Sequence, residues 1–407
     1  MRPLQFRYSD TRVGLRVPDD ALILSLRPAT PTKCDMEALA ERALEALGFV
    51  PRRPAILVPD RTRDADAPRA VGALLDALER RGALGRPPAC VFASGTHAPM
   101  GQGEMDAILG AARARVTPVA HVADDELVAI GEGPDGAPVH VNPAIAEADA
   151  VLVVSAMAFH YLAGFGGGRK MLLPGASDRA TATAIHATCL STEPPGRACG
   201  AAPGVLDDNP LHQAILARLR GLPPVAGLCV VKEGGRVLDG EAGGLVEHHR
   251  ALARRYASGR TVVVDAPLDG LLLSCRGAPY DVDLVQAHKA LVAVAPVVRD
   301  GGRIAWLAKA PRGLGHRELA AWLTDGSADD QLERLLARFH IGRQTAWSLR
   351  SLLDRFEVGL LSELPDDEVR AMGAVPLRHV EDALVFARAG GPRFGVAPDG
   401  AAFCYRL

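Results

Sequence analysis

The chain has 407 residues, 48% of them hydrophobic and 23% charged, and a formal net charge of −2 at pH 7. This length predicts two or three domains, and the composition is ordinary for a soluble globular protein. Because its 46 Lys and Arg do not exceed its 48 Asp and Glu, the chain lacks the basic character of a dedicated nucleic-acid binder. We expect no nucleic-acid partner.

The sequence also argues against export and membrane insertion. Residues 1–7 lack the apolar core of a signal peptide, and no run reaches the roughly 18 apolar residues that a membrane-spanning helix needs. The seven cysteines are scattered and form no Cys-x-x-Cys pair, which suits a reducing compartment and offers no zinc-site spacing. We therefore expect a cytoplasmic protein without a membrane partner.

The first part of the chain alternates short apolar runs with amphipathic stretches. The apolar runs predict strands at Ala55–Pro59, Ala89–Ala93 and Ala150–Ala156. The amphipathic stretches predict helices at Arg69–Arg81 and Glu104–Arg113. The third run is apolar along almost its whole length, which is typical of a strand buried on both faces in a parallel sheet.

The middle of the chain breaks this alternation, and a second series follows it. Residues 192–204, rich in Pro, Gly and Ala, predict a loop, and Gly234-Gly235 predicts a hairpin between residues 228–232 and 236–239. After Asp265 the pattern predicts, in order, strand 270–274, helix 284–298, strand 303–307, a largely helical stretch at 332–355, strand 357–361 and helix 379–389.

Alternation of this kind predicts an α/β fold with two α/β domains and mostly parallel sheets. We place the N-terminal domain at residues 1–267 and the C-terminal domain at residues 268–407, and the last strand could return to the first domain. The active site is expected in the cleft between the two domains, where ligands commonly bind.

Polar residues follow the predicted strands of the first domain. They are Asp60-Arg-Thr-Arg63, Ser94-Gly-Thr-His97 and the stretch from His160 to Lys170, with His186 following in a helix. Because the carboxyl ends of parallel strands line the ligand crevice of an open sheet, we expect these residues to share one site.

The stretch before Lys170 is rich in glycine. Gly166, Gly167 and Gly168 are followed by Arg169 and Lys170, and glycines let backbone N–H groups approach an anion to which Arg and Lys add charge. Met171 follows the lysine, whereas a Walker A loop needs Ser or Thr there. A flexible surface turn is the alternative interpretation.

Three histidines stand in these motifs. Imidazole titrates near neutrality, so His97 and His160 could take and give protons, although a histidine held by a backbone carbonyl is the commoner case. His186 has small neighbours, Thr181-Ala-Thr-Ala-Ile before it and Ala-Thr after it, which leaves room for a bulky group. As a metal ligand it would need a bound cofactor to supply the other donors.

Two further pairs could contact a small anion. Arg63 could hold a carboxylate, and Asp60 could accept from a ribose or orient a histidine, but a local surface ion pair is equally consistent with their spacing. Gln286 and Lys289 are three apart on a predicted helix and share a face, which alone is typical of a solvated helix.

Taken together, these motifs resemble the nickel-dependent lactate racemase family over most of the chain. The resemblance rests on Asp60-Arg-Thr-Arg63, Gly95-Thr-His97, His160, Gly164-Phe-Gly-Gly-Gly-Arg-Lys170, Leu-Pro-Gly175, His186, Gly277-Ala-Pro-Tyr-Asp281, Gln286, Lys289 and Gly301-Gly302.

The resemblance implies a cofactor and its ligands. The family's cofactor is a nickel-pincer nucleotide, nickel pyridinium-3,5-bisthiocarboxylic acid mononucleotide, which gives nickel a carbon and two sulfur donors. His186 would supply the fourth donor and Lys170 a covalent attachment through a thioamide. Asp60, Gly166, Gly167 and Gly168 would contribute to cofactor binding, which makes residues 1–267 the cofactor-binding and catalytic domain.

The resemblance also implies the reaction, a racemisation or epimerisation at C2 of a 2-hydroxy acid by hydride transfer to the cofactor. His97 and His160 would be the catalytic acid/base pair, and Arg63, Gln286 and Lys289 would bind the substrate carboxylate. Ala98 stands where many relatives have arginine, and Val285 where the lactate enzyme has an aromatic residue. The substrate is therefore expected to be lactate or a related small 2-hydroxy acid.

Two other functions stay open at this stage. The same cofactor could serve a dehydrogenase or dehydratase that releases a keto product, or the chain could bind a nucleotide or the cofactor without catalysis. In each case the enzymes that make the cofactor would be partners of this chain. The sequence does not predict its oligomeric state.

Overall fold

The structure is a computed structural model that describes residues 1–26, 34–83 and 85–407, with the backbone alone for 317 and 318. The described residues divide into two compact units. The first unit comprises residues 34–189 and Ala198–Ser258, and the second comprises residues 1–26, Leu190–Arg197 and Gly259–Leu407.

The described residues form strands and helices that alternate through most of both units. The strands are β1 Arg2–Tyr8, β2 Thr11–Val17, β3 Leu22–Ile23, β4 Pro54–Pro59, β5 Ala89–Ala93, β6 Thr117–Ala120, β7 Val128–Glu132, β8 Pro138–Val141, β9 Ala150–Ala156, β10 Phe159–His160, β11 Gly164–Phe165, β12 Leu190–Thr192, β13 Pro195–Arg197, β14 Val225–Glu233, β15 Arg236–Gly244, β16 Thr261–Val263, β17 Leu268–Ser274, β18 Val298–Leu307, β19 Glu357–Leu361, β20 Val375–Leu377, β21 Phe394–Ala397 and β22 Cys404–Arg406. The α-helices are α1 Met36–Glu45, α2 Ala67–Arg80, α3 Gln102–Leu109, α4 Pro143–Ala146, α5 Arg169–Leu172, α6 Arg179–Ala187, α7 Pro210–Leu216, α8 Leu245–Ser258, α9 Leu284–Val294, α10 Arg317–Leu323, α11 Ala328–Ala337, α12 Ile341–Arg355, α13 Asp366–Ala371 and α14 Val380–Arg388.

The first unit is built on a six-stranded sheet in the order β15-β14-β9-β4-β5-β6. Its pairings are parallel except that between β14 and β15, which form the predicted hairpin. The strands predicted at Ala89–Ala93 and Ala150–Ala156 are confirmed at both ends, and β4 begins one residue before its predicted start. Continuous apolar runs indicate these central strands well because both of their faces are covered.

Alternate residues of β4 enter two different cores. Ile56 and Val58 pack in the cluster that contains Leu74 of α2, whereas Leu57 packs with Leu172 of α5 and Ile185 of α6. This division follows from the period of two in a strand. It places the helices that carry Lys170 and His186 together on one face of the sheet, each anchored by an apolar side chain whose burial contributes about 1.5–3 kcal/mol.

The second unit is built on a parallel sheet in the order β20-β19-β18-β17-β21-β3. Its edge strand β3 comes from the N-terminus, and the hairpin of β1 and β2 buries Phe6 and Leu15 in the same cluster as Leu272 of β17. The final strand β22 pairs with β16. The division into residues 1–267 and 268–407 therefore differs from the observed units, because the N-terminal strands and residues 190–197 and 259–267 lie with the C-terminal sheet.

The predicted fold class, α/β with mostly parallel sheets, is confirmed. The stretch predicted to be largely helical, 332–355, is confirmed, since it contains the end of α11 and the whole of α12. Two local predictions were wrong. The loop predicted at 192–204 contains the last residue of β12 and the whole of β13, and Val298 begins β18 instead of ending a helix. Within the described residues, no helix is both long and apolar enough to cross a membrane.

Candidate active site

The polar motifs of the first unit follow three neighbouring strands. The order β9-β4-β5 is parallel throughout, so the carboxyl ends of these strands lie side by side. Asp60 follows β4, His97 comes four residues after the end of β5, and His160 comes four residues after the end of β9. The prediction that these motifs meet at one edge of a sheet agrees with this topology.

Asp60 and His97 form a hydrogen-bonded pair. The Nδ1 atom of His97 lies 2.9 Å from Oδ2 of Asp60, whose residue is 5% exposed, while the His97 side chain is 60% exposed. Thr62 donates to the other carboxylate oxygen through its backbone N–H (3.0 Å) and its hydroxyl (2.5 Å). Burial alone would raise the pKa of Asp60, but the hydrogen bonds from His97 and Thr62 outweigh burial and hold that pKa below its usual value.

Asp60 therefore contacts a catalytic candidate directly. Of the two roles that its sequence position suggested, orienting a histidine is the one with a visible contact. An ionised carboxylate on Nδ1 leaves Nε2 of a neutral imidazole without a proton. His97 thus presents an unprotonated ring nitrogen on a side chain that is largely exposed.

His160 is held differently, within the short hairpin of β10 and β11. Its Nδ1 atom accepts hydrogen bonds from the backbone N–H groups of Leu162 (3.2 Å) and Ala163 (3.0 Å). The ring stacks on Tyr161 with 5.3 Å between centroids. Gly164 allows the chain to return, because a Cβ atom there would lie 1.6 Å from the carbonyl oxygen of Val205.

The three glycines before Lys170 stabilise the conformation of the loop in which they lie. The N–H of Gly166 donates to Ala158 O (2.8 Å), and that of Gly168 donates to Ser155 Oγ (2.9 Å). A Cβ atom on Gly167 would lie 2.7 Å from the carbonyl oxygen of Ala156. Of these three glycines, Gly167 is left as the one whose amide could serve a bound anion.

Arg169 does not belong to the anion site that its sequence position suggested. It is fully buried and donates to the carbonyl oxygens of Ala163 (3.0 Å) and Phe165 (3.1 Å). Its Nη1 also lies 3.1 Å from Nε2 of His249, which is itself 2.9 Å from Gly166 O. Burial lowers the pKa of Arg169 to about 9. The guanidinium thus binds backbone carbonyl groups of the loop that precedes it.

Lys170 lies in α5, half-buried and next to the His97 loop. The carbonyl of Lys170 accepts from the N–H of Gly175 (3.0 Å), and the carbonyl of Gly175 accepts from the N–H of Gly95 (2.8 Å). Gly175 must lack a side chain, since a Cβ atom would lie 2.3 Å from the carbonyl oxygen of Met171. These bonds connect the turn after Lys170 to the turn before His97.

His186 occupies the last turn of α6, which Asp178 caps by accepting from the N–H of Thr181 (2.9 Å). Its Nδ1–H donates to the carbonyl oxygen of Ala182 (2.8 Å), which leaves the lone pair on Nε2. Burial, and after it the charge of Lys170, lowers the pKa of His186 to about 4. A neutral imidazole with a lone pair on Nε2 is the form that binds a metal.

Across the described residues, no group of three or more His, Cys, Asp and Glu side chains could hold a metal ion. A metal bound at His186 would therefore need most of its donors from a cofactor. The neutral ring, the small neighbours on α6 and the nearby Lys170 fit a cofactor that carries its own metal ligands.

The remaining sequence candidates lie in two places. Arg63 is exposed and directly follows Thr62, to whose carbonyl oxygen its side chain donates (2.7 Å). Gln286 and Lys289 lie in the second unit, on one face of α9, and Lys289 Nζ donates to Gln286 Oε1 (2.7 Å). The predicted helix and shared face are confirmed; binding of a substrate carboxylate by these residues stays a prediction.

Three contributors to the site's geometry were missed by sequence reasoning. Thr62 was visible inside the Asp60 motif, and Ser155 is the one polar residue in the run of β9. His249 gave no signal, because it lies in α8 more than 80 residues from the glycines that it contacts.

The chain matches the family described as lactate racemase N-terminal domain over residues 8–196. It is 24% identical to a lactate racemase of Thermoanaerobacterium thermosaccharolyticum, with both chains covered completely. The chain is therefore similar to the lactate racemase family, as its sequence motifs predicted. A second relative, a lactate racemase of Lactiplantibacillus plantarum, is 27% identical over 69% of this chain and 68% of its own length.

Solved structures show the same fold. The lactate racemase apoprotein of T. thermosaccharolyticum superposes with a TM-score of 0.89 at 23% identity, with both chains covered completely. A protein from Thermotoga maritima covers 94% of this chain with a TM-score of 0.67 at 19% identity. These two structures confirm the fold.

Proposed function

We propose that this chain belongs to the lactate racemase family and is an isomerase that inverts C2 of a small 2-hydroxy acid. The observation that carries the proposal is the set of groups at one sheet edge. A carboxylate-held histidine (His97) lies on a turn that is hydrogen-bonded to the turn after Lys170, and the charge of Lys170 acts on a neutral, metal-competent His186.

The proposed cofactor is the nickel-pincer nucleotide, with nickel on His186 and a covalent link at Lys170. The fit rests on His186 Nε2, which carries a lone pair, and on the nearby lysine. When bound, this group supplies a hydride acceptor for C2, which avoids removing a poorly acidic α-proton. Gly167 is the proposed amide donor to its phosphate, with Gly166 and Gly168 shaping the loop.

The side chains of this chain handle the proton and orient the substrate. In this proposal His97 Nε2 takes the hydroxyl proton; the contact of Asp60 with Nδ1 supports this role, because the carboxylate would hold the proton of Nδ1 and stabilise the imidazolium that forms. His160 is the second histidine of the proposed catalytic pair. Arg63, Gln286 and Lys289 are the proposed donors to the substrate carboxylate.

The proposed substrate is lactate or a related 2-hydroxy acid. Both named relatives are lactate racemases, but Ala98 and Val285 are smaller than the residues that the family resemblance leads one to expect, so a longer side chain at C2 would fit. We also propose a cytoplasmic location and a functional dependence on the enzymes that make the cofactor.

The decisive experiment gives the purified protein the nickel-pincer nucleotide and single enantiomers of a panel of 2-hydroxy acids, followed by chiral chromatography. We expect each enantiomer of at least one acid to be converted into the other. A panel without any inversion, measured on protein with stoichiometric nickel, would contradict the proposal. Accumulation of keto acid without inversion would instead favour a dehydrogenase.

Cofactor attachment is tested separately on the same preparations. Intact-protein mass should show an added group that disappears in Lys170→Ala, and nickel content should fall in His186→Ala. Retention of full nickel content in both variants would place the cofactor elsewhere. Gln213→Ala serves as a control outside the site because its side chain is exposed on α7.

A further inference from the structure

The two histidines of the proposed pair direct their Nδ1 atoms towards opposite kinds of groups. Nδ1 of His97 faces the carboxylate of Asp60 at 2.9 Å. Nδ1 of His160 faces two backbone N–H groups, at 3.2 and 3.0 Å. A carboxylate accepts and a backbone N–H donates, so the first Nδ1 must carry a proton and the second must not.

A neutral imidazole carries one proton, so the other ring nitrogen has the opposite state. His97 therefore has a lone pair on Nε2, and His160 has a proton on Nε2. Resting on the proposed function, we propose that the two histidines are not interchangeable: His97 is the base, and His160 is a neutral hydrogen-bond donor to a substrate oxygen.

The surroundings of each ring enforce this difference when a proton is added. Protonated His97 keeps its bond to Asp60, which is 5% exposed as a residue and whose carboxylate is held ionised by Thr62. Protonated His160 would need a proton on Nδ1, where it would point at the N–H groups of Leu162 and Ala163 and break both hydrogen bonds. His160 is therefore kept neutral by the turn that surrounds it.

The sequence builds this turn locally. Residues 161–163 connect β10 to β11, and His160 pairs with Gly164 across the hairpin. Gly164 has φ of 73° and leaves no space for a side chain. This tight return brings two successive N–H groups onto one ring nitrogen, which a longer or looser connection would not do.

The proton balance of the proposed step follows from these states. The hydroxyl O–H bond would break and an N–H bond would form at His97 Nε2, and the electron pair of the O–H bond would become part of the C=O bond. The cofactor, when bound, would supply the acceptor for the hydride of C2. The return step reverses each change, and His97 gives the proton back. His160 keeps its Nε2 proton throughout and donates a hydrogen bond.

The protonation states are tested on the protein without cofactor, so the result does not depend on activity. Long-range ¹H–¹⁵N correlation spectra of protein labelled in histidine distinguish protonated from unprotonated ring nitrogens, and His97→Gln and His160→Gln identify the signals. We expect His160 to be protonated at Nε2 and His97 to be protonated at Nδ1. The same pattern on both rings, or protonated Nδ1 on His160, overturns the proposal.

Asp60→Asn is the matched control for this spectrum. The asparagine amide can donate to Nδ1 of His97, so the variant should move the His97 proton to Nε2 and leave the His160 signals unchanged. An unchanged His97 pattern in Asp60→Asn would show that Asp60 does not fix the ring.

Kinetics of the loaded enzyme then separate the two roles. Glutamine keeps an N–H donor but cannot act as a base, so His160→Gln should lower kcat by no more than about tenfold and His97→Gln by about 10²–10⁴-fold. His160→Leu, which has no donor, should lower kcat by a further tenfold or more. Equal losses in the two glutamine variants overturn the assignment, whereas an inactive wild type with the expected spectrum contradicts only the proposed function.

Discussion

Arg169 and Lys170 are adjacent in sequence but lie in different environments. Arg169 is fully buried against the loop that carries His160, whereas Lys170 is half-buried beside the His97 turn. Among the described residues, no carboxylate is within ion-pair distance of Arg169, so its charge is balanced by the dipoles of Ala163 O and Phe165 O. A guanidinium suits this position because its fixed donors reach several acceptors at once.

Replacing Arg169 should lower the free energy of unfolding of the protein. Arg169→Met leaves the carbonyl oxygens of Ala163 and Phe165 without donors in a buried region, and each such loss costs about 1–3 kcal/mol. We expect the free energy of unfolding to fall by about 2–5 kcal/mol in urea titrations followed by circular dichroism. Arg63→Met, at an exposed position, should change it by less than about 0.5 kcal/mol. Equal effects in the two variants would show that the buried bonds do not stabilise the loop.

The orientation of Arg169 illustrates why single residues of the site were hard to predict. The residue types and spacings around Asp60, His97 and His160 indicated a strand-end site, and the sheet order agrees with it. Which way an arginine in a glycine-rich loop points depends on distant acceptors and on His249 of α8. These contacts have no local signature in the sequence.

At the scale of elements, the glycine loop is fixed by what surrounds it. Gly168 has φ of 53°, and a Cβ atom there would lie 2.5 Å from the ring of His249. Gly82 also has a positive φ, 65°, but no atom lies within 4 Å of its Cβ position. A side chain at either glycine would strain the backbone, but only at Gly168 would it also overlap a neighbouring residue.

Alanine should therefore cost different amounts at these two glycines. Gly82→Ala should lower the free energy of unfolding by about 1 kcal/mol, because an L-residue is strained at this φ. Gly168→Ala adds an overlap with a buried ring and should cost about 2 kcal/mol more, a typical cost of overpacking. Urea midpoints measured side by side test this difference. Equal losses would mean that α8 moves away without cost.

Helix α9 positions the second set of proposed binding residues. Asp283 caps it by accepting from the N–H of Gln286 (2.7 Å), and Gln286 in turn accepts from Lys289. Ser327 caps α11 in a similar way, with its hydroxyl accepting from the N–H of Asp330 (3.2 Å). Both caps stabilise a helix, but only the first lies next to residues proposed to hold substrate.

Removing the two caps should affect stability alike and substrate binding differently. Asp283→Ala and Ser327→Ala should each lower the free energy of unfolding by about 0.5–2 kcal/mol. Asp283→Ala should also raise KM several-fold, because Gln286 loses the support of the first turn. Thermal unfolding and initial rates on the best substrate of the panel test this. An equal KM in both variants would contradict the proposal that residues of α9 bind the substrate.

Elements were predicted well where one apolar run decides them, and poorly where pairing decides them. Strands β5, β9 and β19 have the predicted bounds because each is a short apolar run. The joining of β3 to β21 brings together residues more than 370 positions apart. Periodicity shows that a segment is a strand but does not show its partner.

On the scale of the whole molecule, the predicted boundary at residue 267 differs from the observed units for the same reason: a sequence pattern does not show which strands pair. The chain begins in the second unit, passes through the first, returns for β12 and β13, and ends in the second unit. A boundary sought along the sequence assumes that each unit is one segment. Composition and alternation therefore predicted that there are two α/β units. They could not predict which segments belong to each unit, because that depends on pairing between strands far apart in sequence.

Buried histidines in both units make the molecule sensitive to mild acid. Burial lowers the pKa of His212 to about 4 and that of His288 to about 3, and it holds the pKa of His249 well below its usual value. An unfolded histidine has a pKa near 6.5. Between about pH 4.5 and 6.5 the unfolded chain thus binds protons that the folded chain does not.

The sign of the effect follows from this difference. Stability rises with pH where the unfolded state binds more protons, so it must fall as the pH is lowered through 6.5, by about 1.4 kcal/mol per pH unit for each such histidine. Carboxylates with lowered pKa values, such as Asp60, add to this loss only below about pH 4. We expect the urea midpoint to fall steadily from pH 7 to pH 5.

His212→Leu should reduce this dependence by one proton. His212 is 1% exposed on α7, and neither ring nitrogen has a hydrogen-bond partner among the described residues, so an apolar side chain of similar size should cost little at pH 7 and stabilise at pH 5. Gln213→Leu, at an exposed and non-titrating position of the same helix, is the matched control and should leave the slope of midpoint against pH unchanged. A slope in His212→Leu equal to that of the wild type would show that His212 is protonated in the folded protein.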